Sequence, residues 1–266
     1  MHSPENRDPF AAIIAQVIAR HAPVLNDNAA RFLRRVYEAG LAAYSTRLTA
    51  YGFTGQERVL DAGCGFGQWT LALSRINKAV YAVDTSAERI RFVQDVSQAL
   101  GIPNISASVG RIDTLHYPDK TFDVVFCYGV IFLTPWKETV KELGRVMKRG
   151  GRLYVNANGF GWYKHLWYHE PNQAQDYDPK LHAAKVLRNT WQYGHGYAPE
   201  PGIDILIEPA ELESALREAG FVDIRRAAEG CLRDEGYQDH MIPPFFKGEY
   251  MGDLGVYEVL ARKGRK

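Results

Sequence analysis

Between Glu57 and Asn158, short apolar runs alternate with stretches of three- and four-residue periodicity, and this rhythm constrains the fold more than any other feature of the 266-residue chain. "ERVLDAG", "KAVYAVD", "NISASVG", "FDVVFCYG" and "GRLYVNAN" read as strands. "QWTLALSRI", "SAERIRFVQDVSQALG" and "WKETVKELGRVMKRGG" read as helices, the last two closed by glycine. Such alternation implies parallel strands joined by right-handed helical crossovers, with helices on both faces: a doubly wound α/β fold. Two helices precede the first strand, "FAAIIAQVIARH" (Phe10 to His21) and one from Asn28 to a stop at Gly52. From Gly159 to Ile207 the rhythm breaks into a segment dense in Trp, Tyr and His, with no strand signal until its end. It is too long for a plain connection and too aromatic for a disordered linker. The pattern then resumes with "EPAELESALREAGF" as a helix and "FVDIRRAAEG" and "LGVYEVLARK" as strands. The expected organisation is a helical cap over residues 1–52, an α/β domain over 53–158 and 206–266, and an aromatic lid over 159–205.

Composition narrows the partners. The chain is 46% hydrophobic and 24% charged with a formal charge of +1, which argues against a nucleic-acid partner because it lacks the basic surplus such a partner favours. Cys64, Cys127 and Cys231 are odd in number and set in apolar surroundings, as suits buried, reduced thiols in a cytoplasmic protein. The opening "MHSPENRDPF" has neither the basic cluster nor the long apolar run of a signal peptide, and no later stretch approaches the length needed to cross a bilayer, so a cytoplasmic protein is expected.

The chemistry-bearing stretch is "VLDAGCGFGQWT", a buried strand ending in Gly63, Gly65 and Gly67. Glycine there either permits a turn closed to other residues or lets a ligand approach the backbone. In open parallel sheets, ligands sit beyond the carboxyl ends of the strands. Asp84 closes the next strand roughly 20 residues on, where a carboxylate can accept hydrogen bonds from two ribose hydroxyls. It could also cap the following helix, a role Thr85 could share. Dinucleotide sites use G-x-G-x-x-G with a pyrophosphate at the helix N-terminus. Here the spacing is G-x-G-x-G, and Asp61 precedes the first glycine by two residues. That carboxylate would repel a pyrophosphate but suits a ligand bearing an amino group or a sulfonium.

With these residues in place, the chain from Glu57 to Lys263 resembles the class I S-adenosylmethionine-dependent methyltransferases. "VLDAGCGFG" is similar to the family's first motif, "AVD" to its ribose-binding acid and "YPDKTFDVVFCYGVIFL" to its fourth-strand segment. "ELGRVMKRGGRLYV" and "LREAGFVDI" are similar to the segments around its fifth strand and before its sixth. The resemblance implies a Rossmann-like sheet of seven strands, mostly parallel, whose last strand is antiparallel and lies beside the sixth. It implies S-adenosyl-L-methionine as methyl donor, with Asp61, Gly63, Cys64 and Gly65 along its methionine part and Asp84 with Thr85 at the ribose. Ile112 and Asp113 would lie at the adenine, and Cys127 and Tyr128 near the reacting methyl. Cys64 would serve as a buried small residue, not a nucleophile. The sequence departs from the family at "SVGRIDTL", where Arg111 stands at the usual position of an acid. Either Asp113 makes the adenine contact, or Arg111 stacks on the ring or lies on the surface.

Methyl transfer from a sulfonium is an in-line displacement, which asks a protein mainly to align the reactants and exclude water. An acceptor hydroxyl or protonated amine also needs a general base. Trp162, Tyr163, Trp167 and Tyr193 are the candidate acceptor-binding residues of the lid, although most of its aromatics are expected to form the lid's own core. The resemblance, and it alone, implies that the second N-terminal helix closes the other side, with Tyr37 or Tyr44 near the methyl donor. His165 and His169 share one face of a helix and are the candidate bases, in competition with His182, His195 and His240, each of which also reads as an ordinary surface histidine. Metal-ligand spacing is missing. The reading that results is methylation of O or N on a small-molecule acceptor, with a homodimer compatible. Alternatives are methylation of RNA or protein, a non-catalytic S-adenosylmethionine- or S-adenosylhomocysteine-binding protein and, more distantly, a pyridine-dinucleotide oxidoreductase.

Overall fold

A computed structural model describes residues 10–38, 40–237 and 244–265. Three helices come first: α1 (Ala11–His21), α2 (Asp27–Glu38) and α3 (Gly40–Ala50). The α/β unit follows as β1 (Val59–Ala62), α4 (Gln68–Ser74), β2 (Val80–Asp84), α5 (Ala87–Ala99), β3 (Ile105–Val109), β4 (Phe122–Cys127), α6 (Trp136–Val146) and β5 (Met147–Asn158). The lid contributes α7 (Phe160–His169) and α8 (Pro179–Gly194). The chain closes with α9 (Pro209–Glu218), β6 (Phe221–Ala228), a two-residue hairpin of β7 (Glu249–Tyr250) and β8 (Asp253–Leu254), and β9 (Val256–Lys263).

The main sheet has seven strands in the order β3-β2-β1-β4-β5-β9-β6. The pairs from β3 across to β5 are parallel, and β9 runs antiparallel between β5 and β6. Period-two alternation divides the core. Leu60, Val125, Leu153 and Val155 face the side covered by α6 and α9, where Trp136, Val140, Leu212 and Leu216 are buried. Val59, Val124, Phe126 and Tyr154 face the side covered by α3, α4 and α5, with Leu48, Trp69 and Phe92. Both layers leave the carboxyl ends of β1, β2, β4 and β5 on one rim.

Several sequence expectations need correction. The helix expected from Asn28 to Gly52 is instead α2 and α3, and Gly40, the first residue of α3, takes φ +72°, outside the helical range. The helix expected to run from Trp136 to Gly151 stops at Val146; Met147 already pairs with Phe122, and the glycines form an irregularity inside β5 where Gly150 takes φ +78°. Residues 203–207, which carried a strand signal, lie outside any strand. Cys64 and Cys127 are buried, but Cys231 is exposed. Five of the lid aromatics are exposed instead of forming its core: Phe160, Trp167, Tyr168, Trp191 and Tyr197. The lid core is built on Tyr163, Leu166, Ala183 and Val186.

Candidate functional site

The loop between β1 and α4 is pinned to β2, since Gly63 and Cys64 both donate backbone N–H groups to the Val83 carbonyl, at 2.8 and 3.0 Å. All three glycines have positive φ, +80°, +56° and +80°, but their surroundings differ. A Cβ on Gly63 would stand 2.5 Å from a methyl of Val130, in the loop after β4, and one on Gly67 would stand 2.7 Å from a methyl of Val93 on α5. A Cβ on Gly65 would meet nothing within 4 Å. Gly63 and Gly67 are thus required by packing, whereas Gly65 presents bare backbone to open space.

Two carboxylates flank that opening. Asp84, 5% exposed, accepts the Gly65 N–H on Oδ2 at 3.0 Å and the Ser86 N–H on Oδ1 at 2.9 Å. Ser86 itself caps α5 by accepting from Arg89 N, so neither Asp84 nor Thr85 is the cap, and Thr85 is exposed. Asp61, 1% exposed, accepts the Thr70 hydroxyl at 2.6 Å. Burial pushes its carboxyl up to about 7, Thr70 pulls it back and Asp84 adds to the rise. Gln68 Oε1 and Trp69 Nε1, at the start of α4, are buried with no hydrogen-bond partner among the described residues. Bare backbone at Gly65, buried carboxylates on adjacent strand ends and spare polar atoms suit a polar, partly cationic ligand.

At the third strand's end, Arg111 grips Asp113 with a two-pronged contact through Nε and Nη2, and Ile112 is buried beside them. Arg111 is therefore committed to Asp113. At the end of β4, Cys127 is fully buried, which pushes its thiol far up, and the Tyr128 hydroxyl donates to Glu229 at 3.1 Å. Glu229 and Arg47, each 1% exposed, form a buried ion pair. Glu229 also accepts the backbone N–H groups of Phe245 and Phe246, at 2.9 and 3.3 Å, and the Arg47 guanidinium lies 4.1 Å from the Phe245 ring centre. Sequence reasoning missed this pair. Its signal was an arginine on the apolar stripe of α3, with Leu41, Tyr44 and Leu48.

The Tyr37 hydroxyl of α2 donates to the Phe66 carbonyl in the glycine loop, while Tyr44 of α3 packs edge-on against Trp69. In the lid, Tyr163 is buried and donates to Asp204 at 3.0 Å, and Trp162 packs against Phe246 and Tyr250. Tyr193 stands apart, donating to Glu138 and lining a cavity of about 590 Å³ with Arg111, Lys137 and Tyr197. The rings of His165 and His169 are 5.0 Å apart, and His165 stacks on Tyr250. Burial, then His169 and Lys247, push the His165 imidazole down. His169 and His195 are exposed; His240 lies outside the described residues. Among the described residues, no group of three or more His, Cys, Asp or Glu could hold a metal, and no helix is long and apolar enough to cross a membrane.

Residues 59–151 match a family described as a methyltransferase domain. A demethylmenaquinone methyltransferase of Alkalihalophilus pseudofirmus is 30% identical over 183 residues, covering 65% of this chain and 75% of that protein. An uncharacterized methyltransferase of Bacillus subtilis is 32% identical over 101 residues, covering 38% of this chain and 40% of that protein. Among solved structures, a geranyl diphosphate methyltransferase superposes with a TM-score of 0.59 at 15% identity, covering 98% of this chain and 92% of that one. At that identity the likeness is one of fold.

Proposed function

The chain belongs to the class I S-adenosylmethionine-dependent methyltransferases, and from that premise we propose that it methylates an oxygen or nitrogen of a small-molecule acceptor by in-line displacement. The observation that carries this reading is the opening at Gly65, the one loop glycine whose side-chain position is empty, flanked by the buried carboxylates Asp61 and Asp84. When bound, S-adenosylmethionine supplies a methyl group on a sulfonium. Asp61, Gly63, Cys64 and Gly65 would hold its amino acid part, Asp84 and Thr85 its ribose, and Ile112 and Asp113 its adenine. Asp113 fits the adenine role with its own partner in place, since Arg111 holds it from the exposed side. Cys127 and Tyr128 would wall the methyl, and the rings of the buried Trp69 and the half-buried Tyr128, 4.8 Å apart, offer π-faces that favour a cation.

The small-molecule reading rests on the enclosing elements. The cap, the lid and the segment at Phe245 and Phe246 meet around the strand ends, which suits a compact acceptor better than an extended polymer. The demethylmenaquinone methyltransferases among the relatives are named for an acceptor of this size class. Of the four aromatics expected to contact the acceptor, Trp162, packed against Phe246 and Tyr250, is the proposed contact, whereas Trp167 points to solvent, Tyr163 is engaged by Asp204 and Tyr193 lines a separate cavity. The proton has three candidate takers in the lid: His165 and His169 on α7 and His182 on α8. Titration calorimetry with S-adenosylhomocysteine, followed by tritiated-methyl transfer to phenols, hydroquinones and amines, tests the proposal. No heat of binding would end it; binding with label found only in added RNA or protein would move it to a macromolecular acceptor. Binding with no transfer at all would leave a sensor.

A further inference from the structure

Another buried carboxylate lies in the lid, away from the glycine loop. Asp204 is 8% exposed, in the segment that joins α8 to α9. Its neighbour Ile205 donates its backbone N–H to the Phe132 carbonyl at 2.7 Å, which moors the segment to the loop after β4. Val130 of that same loop abuts Gly63, so Asp204 belongs to the rim that carries the glycine loop. The carboxylate is held from several sides. Tyr163 of α7 donates to Oδ2 at 3.0 Å, and Asn158, the last residue of β5, donates to the same oxygen at 3.3 Å. The Asn189 amide of α8 donates to the Ile203 and Asp204 carbonyls, at 2.9 and 3.1 Å. What faces the remaining oxygen, Oδ1, is Nε2 of His182, at 3.7 Å. The other ring nitrogen, Nδ1, has no hydrogen bond among the described residues.

A neutral imidazole with one nitrogen turned to a fixed carboxylate and the other left open has the arrangement a general base requires: the carboxylate favours the tautomer with the proton on Nε2 and stabilises the imidazolium that forms. His165 lacks this; its cation would be opposed by burial, by His169 and by Lys247. We propose that His182, oriented by Asp204, takes the acceptor's proton. As the acceptor oxygen forms its bond to the methyl carbon, its O–H proton passes to Nδ1 of His182, and the electron pair of the broken carbon–sulfur bond stays on sulfur. Asp204 and Tyr163 are positioning residues. This inference rests on the methyl-transfer reading above. The titratable groups against the His182 ring are Asp204 and Tyr177, whose ring centre is 5.8 Å away; Tyr163 of α7 touches Asp204, and Asp178 caps the helix that carries His182 by accepting from Leu181 N.

The test compares the whole protein with His182→Gln, Asp204→Asn and His165→Gln, using tritiated S-adenosylmethionine with catechol and with thiophenol from pH 6 to 9. A base that works by proton transfer contributes on the order of 100-fold. His182→Gln is therefore expected to lose that factor in kcat for catechol, and the acid limb of its pH profile, while the KM for S-adenosylmethionine stays put. Thiophenol, already ionised at pH 8, should be methylated at the wild-type rate. Asp204→Asn removes the acceptor that orients the ring, so kcat for catechol should fall in the same direction while thiophenol is still methylated at the wild-type rate. The nitrogen NMR shifts of the His182 ring in the protein without any methyl donor should report the proton on Nε2 in the wild type and a changed tautomer mixture in Asp204→Asn, a readout that also serves if His182→Gln fails to fold. Catechol methylation by His182→Gln within twofold of wild type, the loss appearing in His165→Gln instead, or an unchanged His182 tautomer in Asp204→Asn would each overturn the pair. No transfer by the wild-type protein to these two acceptors or to the wider panel of phenols, hydroquinones and amines would overturn the methyl-transfer reading, and the pair with it.

Discussion

The Tyr37 hydroxyl donates a 2.7 Å hydrogen bond to the carbonyl of Phe66, the residue between the second and third loop glycines. The N-terminal cap is thereby fastened to the backbone of the proposed methyl-donor site. Burial pushes the Tyr37 phenol well above its usual range, so it remains a donor throughout the working pH range. Tyr37→Phe keeps the ring against Phe92 and removes only this bond. The loss should cost about 1 kcal/mol of stability and weaken S-adenosylhomocysteine binding several-fold, as read by thermal melting and calorimetry. Undiminished affinity would mean that the cap does not brace the loop.

The three glycines should separate in their effects. Gly65→Leu places a side chain in the left-handed region, at about 1–2 kcal/mol, and fills the space beside Asp84. It should abolish S-adenosylhomocysteine binding in a protein that still folds. Gly67→Ala instead sets a Cβ against Val93, so the cost falls on stability, by about 1–3 kcal/mol, with binding kept in the folded fraction. Retained binding in Gly65→Leu, checked by calorimetry, would put the ligand elsewhere.

This difference between glycines shows where sequence reasoning reached its limit. The spacing of Gly63, Gly65 and Gly67, with Asp61 and Asp84 on neighbouring strand ends, is local information, and so is the alternation that fixes the layers of the sheet. Which glycine faces a ligand depends on Val130 and Val93, distant in the chain. The Gly40 break was hidden because α2 and α3 carry apolar periodicity on both sides of it. His182 and Asp204 are 22 positions apart with no spacing rule joining them, and Arg47 meets Glu229 across 182 positions. Such pairs become visible only when the lid and the cap are folded onto the sheet. The exposure of Trp167 and Trp191 escaped for the opposite reason: aromatic density suggested a core, but α7 and α8 bury only one stripe each.

Glu229 collects an arginine, a tyrosine and two backbone N–H groups, so its removal should be felt by all of them. Breaking a buried ion pair from one side costs about 3–5 kcal/mol, because the remaining charge has no water to turn to. Arg47→Met and Glu229→Gln should each fall in this range in urea unfolding. The double variant should cost clearly less than their sum, since the two share one interaction. Additive costs would show that the pair is not coupled.

Asp61 gives the site a pH dependence whose sign can be worked out. Its carboxyl, ordinarily near 3.8, is pushed by burial to about 7, so the folded protein holds a proton that the unfolded chain releases. Stability from this group is fully present below the unfolded value and is lost as pH rises towards 7, then levels off. Asp61→Asn should flatten that slope in a plot of unfolding free energy against pH. Ligand binding should have the opposite trend. A sulfonium and an amino group favour the ionised carboxylate, so affinity for S-adenosylmethionine should rise with pH up to about 7 and then become constant. Below that pH, binding must expel a proton into the buffer. Calorimetry at pH 6 in two buffers of different ionisation enthalpy should therefore give different apparent enthalpies for the wild-type protein and equal ones for Asp61→Asn. Equal enthalpies in the wild-type protein would mean that Asp61 keeps its proton, or has none to lose, when the cation arrives, and the electrostatic role given to it would fall.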